Sequence, residues 1–205
     1  MLFDNGGITY PEVSGHPDLF FCIVDKQVIL APNTPKQYLS FLLENNVAFK
    51  TGNSNVGFSH PETIHYNAVV TPTLLIHHLK FTDKTILQAA HDKKKLHVNQ
   101  GYTRCNLLPL PDNRFITSDQ GIYKTLKSEG LDVLFIDPTT IRLEGFKHGF
   151  IGGTAGVWKD RVLFMGSLQY LPEKEELKNF LKRSGLKIKE LYQGPLLDVG
   201  SVLVV

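Results

Sequence analysis

Apolar and polar positions along this chain fall into a unit that recurs four times. Each unit reads as a short apolar strand, a tight turn, a second apolar strand, an amphipathic helix and a third strand. The hydrophobic period changes from two to about 3.6 where strand gives way to helix. The first copy contains LFFCIVDKQVILAP, TPKQYLSFLLENN and VAFKTG, within residues 19–52. The second contains YNAVVTPTLLIHH, TDKTILQAAHDKK and LHVNQG, within 66–101. The third contains TRCNLLPLPDNRFITS, DQGIYKTLKSEG and LDVLFI, within 103–136. The fourth contains GGTAGVWKDRVLFMG, LPEKEELKNFLKRSG and LKIKELYQG, within 152–194. Val28, Leu74, Phe115 and Val162 align the second strands at a period of about 45 residues, which is in the range of repeat architectures.

Helix boundaries are marked at matching places. Thr34 and Thr82 suit N-caps, Pro35 sits where a first-turn proline does no harm, and Gly130 and Gly185 suit the position after a C-cap. Leu177, Phe180 and Leu181 form an i, i+3, i+4 stripe, and Ile122 with Leu126 a shorter one; these predict core faces. Outside the four units stand MLFDNGGITYPEVSGHPD and PLLDVGSVLVV. The tail reads as a first strand, expected over 201–205, and GGITYPEV as a third strand. Together they would form a reduced fifth unit that joins the termini and removes open strand edges.

With 205 residues, 42% of them hydrophobic and 20% charged, the chain is expected to fold as one domain over 1–205. A net charge of +2 predicts no nucleic-acid partner. The run Lys93–Lys94–Lys95 reads as a solvated helix end. No apolar stretch approaches the roughly 20 residues that cross a bilayer, so no membrane partner is expected. The first residues lack a basic segment followed by an apolar one and are not read as a signal peptide. Two cysteines, Cys22 and Cys105, make no disulfide framework, which predicts reduced thiols in a cytoplasmic protein.

The ordered segments GHPD, HYNAVV, LHVNQG with LPDNRFI, GFIGGTAG with DRVLF, and LLDVGSVLVV resemble the pentein superfamily, the guanidino-group-modifying fold. The resemblance spans nearly the whole chain, and within the superfamily it points to a bacterial family without an assigned activity. It implies an α/β fold, a pentein-type α/β propeller. This is a pseudo-fivefold ring of strand–strand–helix–strand repeats, here with a reduced terminal repeat. The family's enzymes are deiminases, dimethylarginine hydrolases and amidinotransferases. They use a cysteine near the C-terminus, a histidine in an LHLK-like segment, and carboxylates that grip the guanidinium. LHVN places His97 on that histidine. LLDVGSVLVV resembles the LDGGxxC ending and matches Asp198 and Gly200, but the nucleophile position falls on Leu203. The acidic pair falls on Ile23 and Val24, and the acid of the GGDV segment on Asn67.

Guanidino chemistry needs a thiolate nucleophile, a proton-shuttling histidine and carboxylates that orient the cation. A guanidinium among apolar groups without a carboxylate is uncompensated. The replaced positions therefore argue against an arginine-like substrate. Cys105 is the alternative nucleophile, with Arg104 beside it in sequence, although adjacent strand residues face opposite ways. It also suits a buried, inert thiol, and His97 a hydrogen-bonded structural histidine. Aligning the first strands sets Cys22, Asn67, Asn106 and Ser201 at one depth, where a ring directs side chains to its centre. GFIGGTAG lacks the residues of a phosphate-binding loop, so its glycines are read as close strand packing and no cofactor is expected. His77, His78, His91 and His148 show no metal-ligand spacing, and no metal is expected.

Three functional expectations follow. The first is a binding module for a partner or for a small polar molecule in the central pore, with His16, His65, Asn67, Asn99, Arg104, Asn106, Asp198 and Ser201 as ligand-binding candidates. The second is an atypical hydrolase or transferase, acting on a guanidino or amide-like small molecule through His97 and Cys105. A structural or assembly role through the outer surface is the third reading.

Overall fold

A computed structural model describes residues 2–205 of the chain. The four repeats form as the pattern predicts. The first consists of β1 (Phe21–Val24), β2 (Gln27–Leu30), α1 (Lys36–Glu44) and β3 (Phe49–Thr51). The second consists of β4 (Val69–Val70), β5 (Leu74–His77), α2 (Lys84–Ala89) and β6 (Lys94–His97). A single helical turn, α3 (Thr103–Asn106), leads into the third: β7 (Leu107–Leu110), β8 (Arg114–Thr117), α4 (Gln120–Ser128) and β9 (Asp132–Phe135). The fourth is β10 (Ala155–Trp158), β11 (Arg161–Phe164), α5 (Lys174–Arg183) and β12 (Lys187–Glu190).

Each repeat makes its own three-stranded sheet with strands in chain order. The first two strands pair antiparallel across a tight turn, and the third pairs parallel with the second after a helical crossover. In the first repeat the turn is Asp25–Lys26, both at positive φ, the backbone that matches the twist of a two-residue hairpin. The middle strand is bonded on both sides, and in β5 every residue is buried.

Register corrects one part of the alignment. At the end of each middle strand, Leu30 O, His77 O, Thr117 O and Phe164 O accept from Gly52 N, Val98 N, Ile136 N and Leu191 N just past the third strand. Leu74 therefore matches Arg161, and Leu75 is the equivalent of Val28, Phe115 and Val162. Leu74–Leu75–Ile76 is apolar throughout, so no alternation marks which residue faces which way.

The chain divides into two compact units, Met1–Thr103 with Val205, and Arg104–Val204. In the first, Phe20, Ile29, Tyr66, Leu75 and Ile86 anchor one apolar cluster, and Val28, Leu30 and Leu42 a second beneath α1. In the second, Ile116, Phe164 and Ile151 pack with the α5 stripe Leu177, Phe180 and Leu181. Gly130 and Gly185 follow the ends of α4 and α5 at φ +74° and +70°, a left-handed backbone that glycine adopts without strain.

Several local expectations change. Pro35, not Thr34, is the N-cap of α1, and Thr34 Oγ1 donates to Ala31 O at 2.8 Å. Asp83, not Thr82, caps α2, accepting from Thr85 N at 2.8 Å. α2 ends at Ala89, so the lysine run is no helix end. Lys93 is buried, bonded to Asp25 at 2.9 Å and to Pro72 O at 3.1 Å, and Lys94 opens β6. GGITYPEV forms bends and a short 3-10 turn at Pro11–Val13 instead of a strand. The segment 201–205 carries no strand either. Its backbone approaches β10 through Ser201 N to Gly153 O and Val202 N to Ala155 O. Consecutive positive φ angles at Gly200 and Ser201 break the extended path there. Among the described residues, no helix is long and apolar enough to cross a membrane.

Candidate functional site

In the first unit, His97 ends β6, whose parallel register sets it opposite His77 on β5. Its ring is exposed. Nδ1 lies 3.3 Å from Leu79 N and Nε2 lies 3.2 Å from Asn99 Oδ1. A backbone amide only donates, so Nδ1 accepts and Nε2 carries the proton given to Asn99. The structure thus brings His97 and Asn99 together. It adds a neighbour that the sequence did not single out: His78, whose ring stands edge-on to His97 with centroids 4.9 Å apart. Burial first, and then His97, holds the His78 imidazole below its usual value. The Phe81 ring lies 4.6 Å from that of His78, and His60 approaches Phe81 at 6.0 Å.

The adjacent His77 is wholly buried, bonded through Nδ1 to Thr82 Oγ1 (2.8 Å) and through Nε2 to Gly101 O (3.0 Å). Burial lowers its imidazole to about 4, more than the Gly101 and Ile64 carbonyls raise it. It is a neutral structural bridge. The other first-unit candidates serve the fold as well. His65 Nδ1 donates to Phe81 O at 2.7 Å, and Asn67 Nδ2 donates to Asp18 O at 3.2 Å from a fully buried position. His16 is buried and starts the turn at Pro17–Leu19.

Asp83 is a further residue that sequence reading missed. Its buried carboxylate accepts from Asn53 N (2.9 Å), Ser54 N (2.7 Å) and Thr85 N (2.8 Å). Burial raises its pKa, but the donors at Thr85, Ser54 and Asn53 outweigh that and hold it below the ordinary carboxylate value. An aspartate before a helical run signals a cap; its hold on a loop thirty residues away has no local signature.

In the second unit, Cys105 lies buried in α3, and neither cysteine takes part in a disulfide. Arg104 places Nη1 2.8 Å from Gly152 O and Nη2 3.0 Å from Ala155 O. Asn106 is fully buried, with its Oδ1 accepting from Ser118 Oγ at 3.3 Å. The Asp198 carboxylate is buried and accepts from Phe150 N (2.9 Å) and Gly200 N (3.0 Å). Ser201 is buried at φ +75°. The glycines of GFIGGTAG allow these approaches: a Cβ at Gly153 would overlap Asp198 Oδ1, and one at Gly152 the backbone of α3.

Register also revises which first-strand residues are equivalent. Ala31 N, Ser118 N and Met165 N donate to Phe20 O, Asn106 O and Thr154 O. Phe20, Asn67, Asn106 and Thr154 therefore share one level, three residues before Ile23, Val70, Pro109 and Val157. Cys22 lies two residues further along and is not at the depth of Asn67 and Asn106. His97 and Cys105 belong to different units. Among the described residues, no group of three or more His, Cys, Asp and Glu side chains is placed to hold a metal ion.

The repeat architecture is that of the pentein fold, and solved structures share it. They include the amidinotransferase SxtG of the saxitoxin biosynthetic pathway from Microseira wollei, with 9% identity and a TM-score of 0.52 over 91% of this chain and 63% of that one. Agmatine deiminase from C. jejuni gives 9% identity and 0.54, over 80% and 60%. DDAH from Pseudomonas aeruginosa, in complex with citrulline, gives 7% identity and 0.50, over 88% and 69%. The chain thus spans less than two thirds of the amidinotransferase and of the agmatine deiminase, and at these identities the likeness is one of fold. Within that fold, the chain belongs to the family described as a family of unknown function, DUF6873, whose profile matches residues 3–203. No curated protein matches the sequence.

Proposed function

We propose that this pentein-fold chain is a binding protein for a small polar molecule or a partner and does not carry out the guanidino chemistry of the enzymes it resembles in fold. One observation carries the reading. Arg104 and Asp198, the two candidates with a permanent charge, are both spent on backbone groups, the first on carbonyls and the second on amides. A guanidinium needs a carboxylate whose oxygens are open to a two-pronged contact. Asp198 already bonds an amide with each of its oxygens. The resemblance places the other acids and the nucleophile on Ile23, Val24, Asn67 and Leu203, none of which ionises. The exposed His97 and Asn99 remain as polar groups that present a face to solvent.

The test is incubation of the chain with arginine, agmatine and methylarginines, measuring ammonia, amines and ureido products. The expected result is no release above background. Turnover that vanishes in Cys105→Ser would overturn the reading and establish the hydrolase or transferase alternative, with Cys105 as nucleophile.

A further inference from the structure

We propose that His97 is a proton-operated latch that holds the turn at residues 78–81 onto the end of β6 when neutral and lets it go when protonated. The turn closes on itself through Phe81 N to His78 O at 2.8 Å. Leu79 N reaches across to β6, where His97 Nδ1 accepts it at 3.3 Å. This contact requires a lone pair on Nδ1. Asn99 Oδ1, 3.2 Å from Nε2, selects the tautomer that has one there. A proton added to His97 has only Nδ1 to occupy. Two N–H groups would then point at each other, and the contact holding the turn becomes a repulsion.

The surroundings add to that repulsion. The charged and titratable groups that act most on His78, the turn residue that meets the His97 ring, are His97 itself, Lys80 of the same turn and His60 of the 58–65 segment. All are bases, so acidification adds positive charge beside a lysine that already carries it. His78 Nδ1 is buried without a hydrogen-bond partner, whereas the His97 ring is exposed to solvent. Other contacts keep the turn from unfolding: His65 Nδ1 to Phe81 O at 2.7 Å and Asp83 N to His65 O at 3.0 Å hold its far end. The motion is therefore a local opening hinged near Phe81.

The latch is read on the chain alone, so its failure leaves the binding proposal untouched, and the reverse. Nitrogen-15 NMR of the full chain between pH 8 and pH 5 measures the His97 ring and the protection of the Leu79 amide together. The expected result is an Nε2–H tautomer at pH 8. Leu79 protection should fall at least tenfold with the midpoint of the His97 titration. His97→Asn, whose side-chain oxygen stands in for Nδ1 and does not titrate, should keep Leu79 protected at both pH values. An Nδ1–H tautomer at pH 8, Leu79 protection that ignores pH, or an unchanged acid response in His97→Asn each overturns the latch.

Discussion

His77 is the residue with the sharpest consequence for stability. Its imidazole titrates at about 4 in the folded chain, against 6.5 when solvated, because burial disfavours the charged form. The unfolded chain therefore takes up a proton that the folded chain refuses until lower pH. The contribution is complete above pH 6.5 and is lost as pH falls toward 4; over that window it amounts to about 3 kcal/mol. Urea denaturation at pH 7.5, 5.5 and 4 should show the wild-type chain losing its advantage over His77→Gln by about that amount. A constant difference between the two proteins would mean that the His77 imidazole titrates alike in the folded and unfolded chains.

At the scale of elements, Asp83 joins α2 to the loop at 53–54. Removing its carboxylate uncaps the helix and strands the Asn53 and Ser54 amides together. Asp83→Ala should cost about 2–4 kcal/mol at neutral pH, measured by urea denaturation. Asp83→Asn retains a capping oxygen and should lose about half as much. Equal losses in the two variants would show that the charge, not the cap, carries the effect. Lys93 illustrates the same linkage between distant elements. Its side chain, just before β6, is buried against the turn of the first hairpin through Asp25 and against Pro72.

At the scale of the molecule, each compact unit has its own apolar clusters, and the tail is integral to the second. Asp198 N bonds Arg142 O, Val199 N and Ser201 N both bond Gly153 O, and Val202 O packs where Gly156 has no side chain. A chain ending at Leu197 loses these contacts and leaves Phe150 N without its carboxylate partner. Trp158, the only tryptophan, lies on β10 beside this segment and reports on it by fluorescence. The truncated chain should unfold at a lower urea midpoint, with a loss of about 3 kcal/mol or more. An unchanged midpoint would show that the tail adds nothing to the second unit's stability.

The four repeats, their strand-to-helix order and the pentein type of the fold were legible in the sequence, because strand and helix periods and the glycines after α4 and α5 are local signals. So was the close packing behind GFIGGTAG, since runs of glycine mark places where backbones approach. What each polar residue does was decided only by tertiary structure. Arg104 became a support for the carbonyls of Gly152 and Ala155, and Asp198 for the amide of Phe150, each brought from 48 or more residues away along the chain. The β5 register was set by pairing on both sides, because an all-apolar strand has no polar face to mark its orientation. The meeting of His78 with His97, and of Asp83 with residues 53–54, came from strands and loops packed side by side. Burial and hydrogen-bond partners are properties of such neighbours, and residue type alone does not determine them.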